Sequence, residues 1–239
     1  MLYSTRMLIG IKRALRKFGY DVVRYHPLFD IVLNKYAIDT VLDIGANNGQ
    51  FALDVHTRLP DARIYSFEPL KEAFRELTDN LKTIPNFRAF NIGLGDMNGT
   101  ATIFHSSFSP SSSLLPMAAL HKKLYPKSAD ATIETITVKR IDDMRNEISL
   151  GENVLVKLDV QGYEDKVLRG GANTIAGAKV LVVEVSFVTL YEHQPLFDDI
   201  YKIVRKLGFV YIGSRERHYS RETGELIYED AIFLKDPAV

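Results

Sequence analysis

The stretch VLDIGANNGQF, residues 41–51, limits what this chain can fold into more than any other. Val41, Leu42 and Ile44 form an apolar run of strand length without strict polar alternation, as in a parallel strand covered on both faces. Gly45 and Gly49 punctuate a tight turn, and a helical pattern opens at Gln50 and Phe51. A strand that feeds a helix through a glycine turn is the opening crossover of a doubly wound sheet, and such a turn cradles a nucleotide.

The alternation continues along the chain. ARIYSFE (62–68) reads as a strand, LKEAFRELTDNLK (70–82) as an amphipathic helix and FRAFNIGL (87–94) as a strand. Later apolar runs of strand length are VLVKLDV (154–160), VLVVEVS (180–186), FVYIG (209–213) and AIFLK (231–235). Between the fifth and sixth of these seven main strands, LFDDIYKIVRKLG (196–208) has helical period and a glycine stop. The pattern predicts an α/β fold, an open, mostly parallel sheet with helices on both faces.

Two segments break the rhythm. Residues 7–18 predict a helix with Met7, Leu8, Ile11, Leu15 and Phe18 on one face and Lys12, Arg13, Arg16 and Lys17 on the other. It reads first as a cap packed on the core, and second as an interfacial helix against anionic lipid. Residues 95–140 hold two short strands, TATIFHS (100–106) and ETITVKR (134–140), around the Ser/Pro-rich SSFSPSSSLLPM (106–117). They predict an insertion or lid over the sheet's C-terminal edge. The expected organisation is a basic helical extension over 1–35 and one domain over 36–239 that carries the insertion.

Composition narrows the function classes. The formal net charge is zero, which gives no reason to expect nucleic acid as a partner. The absence of cysteine removes disulfides, thiolate metal sites and a cysteine nucleophile, and suits a cytosolic chain. No apolar run reaches the roughly 18 residues of a membrane span, and the N-terminus lacks a signal peptide's apolar core and cleavage site. The expected location is cytoplasmic, with any membrane contact peripheral and through the basic helix.

The turn itself discriminates among nucleotides. A dinucleotide fingerprint would need glycine at 45, 47 and 50, but the chain has Gly45, Asn47 and Gln50. A P-loop would need Gly-Lys-Ser/Thr, and no Lys or Arg occurs between Lys35 and Arg58. The turn carries an acid instead, Asp43. An acid and two glycines without a side-chain cation suit a positively charged ligand that lacks phosphates, and S-adenosylmethionine fits. The pattern D/E-x-G-x-G-x-G laid on residues 43–49 gives Asp43, Gly45, Asn47 and Gly49, with Ala46 between them. Asn47 is the one miss, and Asn tolerates positive φ best among the non-glycine residues. Gly45 and Gly49 are expected to let backbone approach the ligand, and Asp43 to hold the methionyl ammonium directly or through water. Glu68, 25 residues beyond Asp43 and followed by Pro69, is expected to take the ribose hydroxyls. In NIGLGD (91–96), Gly93 or Gly95 allows close approach, and Asp96 is placed to accept from the adenine amino group.

Together VLDIGANNGQFA, YSFEP, NIGLGD and LVKLDVQGYEDKVLRGG resemble the FkbM family of S-adenosylmethionine-dependent methyltransferases over roughly residues 36–212. Gln161 stands where that family more often has Glu. The resemblance implies a seven-stranded, Rossmann-like class I fold with three α/β/α layers and an antiparallel last strand. It implies O-methylation of a hydroxyl on a small-molecule, sugar, glycan, glycolipid or natural-product acceptor.

Methyl transfer to an alcohol requires the oxygen to be held in line and its proton removed. Asp159 is the first candidate base, and Lys157 shares its side of the strand. Glu184, an acid inside an apolar run, is expected to bind substrate hydroxyls, pair with Lys157 or act as the base. His193, just past that strand, is the third candidate, and His105 lies beside the lid. Glu164 reads as support for a helix start. No metal is expected, because Asp159 and Glu184 alone do not make a magnesium cluster. Two rivals stand beside catalysis: an S-adenosylmethionine-binding protein without activity, and an NAD(P)-dependent oxidoreductase.

Overall fold

The computed structural model describes residues 10–18, 28–106, 109–128 and 130–236. The strands are β1 (Thr40–Ile44), β2 (Arg63–Phe67), β3 (Phe87–Phe90), β4 (Gly93–Leu94), β5 (Gly99–Ser106), β6 (Ala131–Lys139), β7 (Val154–Leu158), β8 (Val180–Ser186), β9 (Phe209–Tyr219) and β10 (Leu226–Lys235). The helices are α1 (residues 10–16), α2 (Leu28–Lys35), α3 (Gln50–Arg58), α4 (Lys71–Leu81), α5 (Ala119–Leu124), α6 (Glu164–Gly170), α7 (Ala172–Ala176) and α8 (Phe197–Lys206).

Seven strands form one sheet in the order β3-β2-β1-β7-β8-β10-β9, in which β10 alone runs antiparallel to its neighbours. Every residue of β1 and of β7 is buried, including Asp43 and Lys157 among their apolar neighbours. Alternate residues feed two cores. Leu42, Ile44, Leu181 and Val183 pack under α6, α7 and α8 with Val167, Ile175 and Val204. Val41, Val180 and Val182 pack on the other face with Val32 and Leu33 of α2, Val55 of α3 and Leu77 of α4. The result is the expected three-layer Rossmann-like α/β/α fold. The order reverses around β1 and β7, so a crevice opens beyond their carboxyl ends.

Several boundaries differ from expectation, each for a visible reason. The third strand stops at Phe90, because Asn91 Nδ2 donates to Glu68 O and Pro69 O, both at 2.9 Å, and turns the chain out of the sheet. Gly93–Leu94 then pairs with β6, which also pairs antiparallel with β5, to make a separate three-stranded sheet. The fourth main strand ends at Leu158, which leaves Asp159 beyond its carboxyl end. The last two strands run well past FVYIG and AIFLK as a long hairpin with polar tips. Helix α2 buries Phe29, Val32 and Leu33 in the core, so the folded body starts no later than Leu28, inside the expected extension.

Of the predicted helix over 7–18, residues 7–9 lie outside the described residues. The rest forms α1, but none of residues 10–18 is buried, and Ile11 and Phe18 are 46% and 78% exposed. The expected packed cap is not what the described residues form. Among the described residues, no helix is long and apolar enough to cross a membrane.

Candidate active site

The turn after β1 adopts left-handed backbone at three places: Gly45 (φ 77°), Asn47 (φ 48°) and Gly49 (φ 91°). Asparagine thus stands at the middle position of the glycine pattern in the conformation it tolerates. What crowds the two glycines is protein. A Cβ on Gly45 would lie 1.8 Å from the Asp159 carbonyl oxygen, and one on Gly49 would lie 2.2 Å from Leu81 Cδ1 of α4. Gly45 therefore lets the β1 turn touch the loop after β7, and Gly49 lets α3 pack on α4, whereas ligand approach was the expected reason for both.

A cavity of about 760 Å³ opens along the carboxyl ends of β1, β2, β7 and β8. Ala46, Asn47 and Asn48 of the turn, Glu68, Pro69, Gly93, Lys157, Asp159 and Glu184 line it. Asp43, Asp96 and His193 do not. Asp43 is fully buried behind the wall and sits 3.7 Å from Lys157 Nζ, with Ser66 Oγ 3.4 Å away. Burial raises its pKa against the pull of Lys157. Lys157 Nζ also pairs with Asp159 at 3.2 Å and donates to Gly45 O at 3.3 Å. Burial opposes its charge, but Asp159 and Asp43 outweigh burial and push its pKa up. The direction on the lysine side settles the pair: Lys157 is a fixed cation between two acids. Asp43 is thus placed to hold Lys157, and a ligand ammonium has no direct route to it.

Glu68 accepts the N–H groups of Asn47 (2.8 Å) and Leu70 (2.9 Å), one on each oxygen. Burial pushes its pKa up to about 7 against those two bonds. Asp96 lies beside Tyr163, away from the cavity wall. His193 is exposed at φ 60° in the connection after β8, and nothing brings it to the acids. His105 pairs with Glu134 across β5 and β6 at 2.5 Å, also off this wall.

Beyond β7 the chain turns sharply at Gln161 (φ 54°) and Gly162 (φ 96°). Glu164 Oε1 secures the turn by accepting Val160 N at 3.0 Å and Gly162 N at 3.2 Å, the helix-start support expected of it. The turn places the Gln161 amide between two acids, where Nε2 donates to Asp159 Oδ1 (2.7 Å) and to Glu184 Oε1 (2.9 Å). Burial first, and then the charge of Asp159, push the Glu184 carboxyl well above the usual carboxylate range. Glu184 has no ion pair with Lys157, because Gln161 stands beside it instead. Among the described residues no group of three or more His or carboxylate side chains could hold a metal ion.

Several wall residues carried no signal in the sequence. The β9–β10 hairpin brings Arg215, Glu216, His218, Tyr228 and Asp230 to the cavity. Arg215 is committed to Asp54 (3.1 Å), Asp230 (3.3 Å) and Glu216 (3.0 Å) and lies over the Phe51 ring. His218 stacks on Tyr228 with ring centroids 4.3 Å apart. The insertion closes the cavity from above with Ile103, Ser111, Leu114, His121 and Tyr125, so it is a built wall.

The family model for the methyltransferase FkbM domain matches residues 43–211. Two curated relatives are similar over most of their length. The 2-O-methyltransferase NoeI of Sinorhizobium fredii is 26% identical over 202 residues, covering 79% of this chain and 82% of its own. The hexuronic acid methyltransferase AglP of Haloferax volcanii is 29% identical over 205 residues, covering 82% of this chain and 77% of its own.

Proposed function

The chain belongs to the FkbM methyltransferase family, whose methyl donor is S-adenosylmethionine, and we propose that it methylates a hydroxyl group of a sugar or a sugar-bearing molecule. One observation carries the reading: Asp159, held by Lys157 and Gln161, stands on the wall of a cavity that also contains the Asn47–Glu68 turn. The similarity to NoeI and AglP, which by name act on a 2-O position and on a hexuronic acid, supports a sugar acceptor.

The wall residues fit the donor. Asn48 Oδ1 is buried there without a hydrogen-bond partner, and each Glu68 oxygen keeps a lone pair after accepting one N–H. Such acceptors suit an ammonium and a ribose diol. The two Lys/Arg side chains on the wall, Lys157 and Arg215, are both committed to carboxylates, so the described residues offer no cationic phosphate cradle. Phe67, Gly93, Leu94 and Ile103 line an apolar stretch suited to an adenine ring. When bound, S-adenosylmethionine supplies an electrophilic methyl group. The chain's own part is to orient the acceptor hydroxyl and take its proton on Asp159, while His218, Tyr228 and Tyr125 offer ring faces to a sugar.

Purified protein given labelled S-adenosylmethionine and a panel of neutral glycosides, hexuronic acids and polyols is expected to release a methyl ether. Calorimetry is expected to show S-adenosylhomocysteine binding. Tight uptake of NAD in its place would sink the reading, and donor binding without transfer to any hydroxyl would favour the non-catalytic rival.

Contact with an anionic lipid surface is also proposed. Exposed Ile11 and Phe18 stand beside Lys12, Arg13 and Lys17, the pairing of apolar and basic side chains that suits the headgroup region. Full-length protein should co-sediment with vesicles rich in phosphatidylserine and release as salt rises, while a form lacking residues 1–20 should not. Equal sedimentation of both forms would remove the idea.

A further inference from the structure

We propose that Gln161 is a positioning residue, a permanently neutral double donor that fixes Asp159 and Glu184 relative to each other and ties both to the insertion. The proposal rests on the reading of Asp159 as the proton acceptor.

Both amide hydrogens are used, one on Asp159 Oδ1 and one on Glu184 Oε1, and the amide oxygen accepts from Tyr191 OH at 2.7 Å. The reverse orientation would aim the oxygen at two carboxyl groups, so the bonding pattern selects one orientation. Tyr191 OH also lies 3.2 Å from Ser111 O of the insertion, and Ser113 Oγ donates to Gln161 O at 2.6 Å. The insertion therefore holds the residue through its backbone carbonyl, while Tyr191, in the connection after β8, holds its side chain. Its left-handed φ is uncommon for a residue other than glycine, asparagine or aspartate.

A neutral donor matters because of its surroundings. The acids facing this point are Asp159 after β7, Glu184 on β8, Glu164 on α6 and Asp230 on β10. The opposing charges are Lys157 on β7, backed by Asp43 on β1, and Arg215 on β9, while Tyr191, Tyr228 and Tyr125 bring hydroxyl groups only. A carboxyl at position 161 would add a fifth acid. Protonated, it would have one hydrogen to donate where the amide has two, and ionised it would repel both neighbours. Glutamine screens the two acids at any pH without a shared proton.

The test is Gln161→Glu. The new carboxyl would titrate higher in the folded protein than in the unfolded chain. Stability is then retained below the unfolded pKa and lost as pH rises through the folded value. With the folded value about one pH unit above the unfolded one, the Tm deficit against wild type should grow by roughly 3 °C between pH 3.5 and pH 8. With an acceptor from the panel, the acid limb of kcat/KM should move up by about one pH unit, while S-adenosylhomocysteine affinity stays the same. Tyr191→Phe, which removes the bond on the amide oxygen and loosens the side chain, should move the limb in the same direction by less, and serves if Gln161→Glu does not fold. A pH-independent Tm deficit and an unmoved limb would show a packing role only and overturn the proposal. If no sugar is methylated the function reading fails, yet the Tm comparison still decides the role of Gln161 in the acid pair.

Discussion

Replacing Asp159 by asparagine is expected to slow methyl transfer by about 10²–10⁴-fold, the contribution of a positioned base, and to leave S-adenosylhomocysteine binding intact. The neighbouring carboxyls argue for this choice of acid. Asp159 forms an ion pair with Lys157 at 3.2 Å and accepts Gln161 Nε2 at 2.7 Å, so its charge is matched and its rotamer fixed. Glu184 shares the Gln161 amide, but burial and the charge of Asp159 favour its protonated form. A group whose protonated form is favoured loses little when made into an amide. Glu184→Gln should therefore slow turnover less than tenfold, and its main effect should fall on KM if the carboxyl binds acceptor hydroxyls. Rates measured at saturating donor decide the matter. A severe Glu184→Gln beside a mild Asp159→Asn would exchange the two roles.

How much of this site could be read from residue order depends on how local each cause is. Asp43, Gly45, Asn47 and Gly49 were legible because strand end, turn conformation and helix start lie within seven residues and demand particular residue types. Glu68 and Asp159 were legible because each ends a buried strand whose length the apolar run fixes. Roles within the pattern were less so. Asp43 looked like a ligand for an ammonium, and only the position of Lys157 on the paired strand shows that the cation facing it belongs to the protein. The stop of β3 depends on one side-chain amide, that of Asn91, which bonds to carbonyls of an earlier strand and leaves no periodic trace. The hairpin tips were missed because SRERHY and LIYED are polar where they leave the core, and polar alternation on a two-stranded ribbon resembles a loop. Position 161 stands out in the sequence only as glutamine where glutamate is the commoner residue. That the amide spans two acids needs β7 and β8 side by side.

Lys157→Met should destabilise the fold by about 3–5 kcal/mol, the range for removing one partner of a buried ion pair. Methionine matches the lysine stem, so the loss is electrostatic rather than a cavity. The cause lies in Asp43, which is 0% exposed. Its Oδ2 has a long contact of 3.4 Å with Ser66 Oγ, and its Oδ1 has no hydrogen-bond partner, so the ammonium 3.7 Å away is its main compensation. Without that cation the carboxyl must stay protonated in the folded chain while it ionises freely in the unfolded one. The folded state then binds the extra proton, and stability drains as pH rises from about 4, the unfolded value, through the raised folded value. The deficit against wild type should be smallest near pH 4.5 and largest near pH 8, where it corresponds to a Tm lower by roughly 10 °C for a chain of this size. Adding Asp43→Asn to Lys157→Met should recover part of the loss even though it removes a second native charge, because the orphaned carboxyl goes with it. Thermal melts of the two variants across that pH range provide the measurement. A deficit flat with pH, or a double variant weaker than Lys157→Met alone, would mean that Lys157 acts through packing on Phe51, 5.6 Å below it, and not through the charge it returns to Asp43.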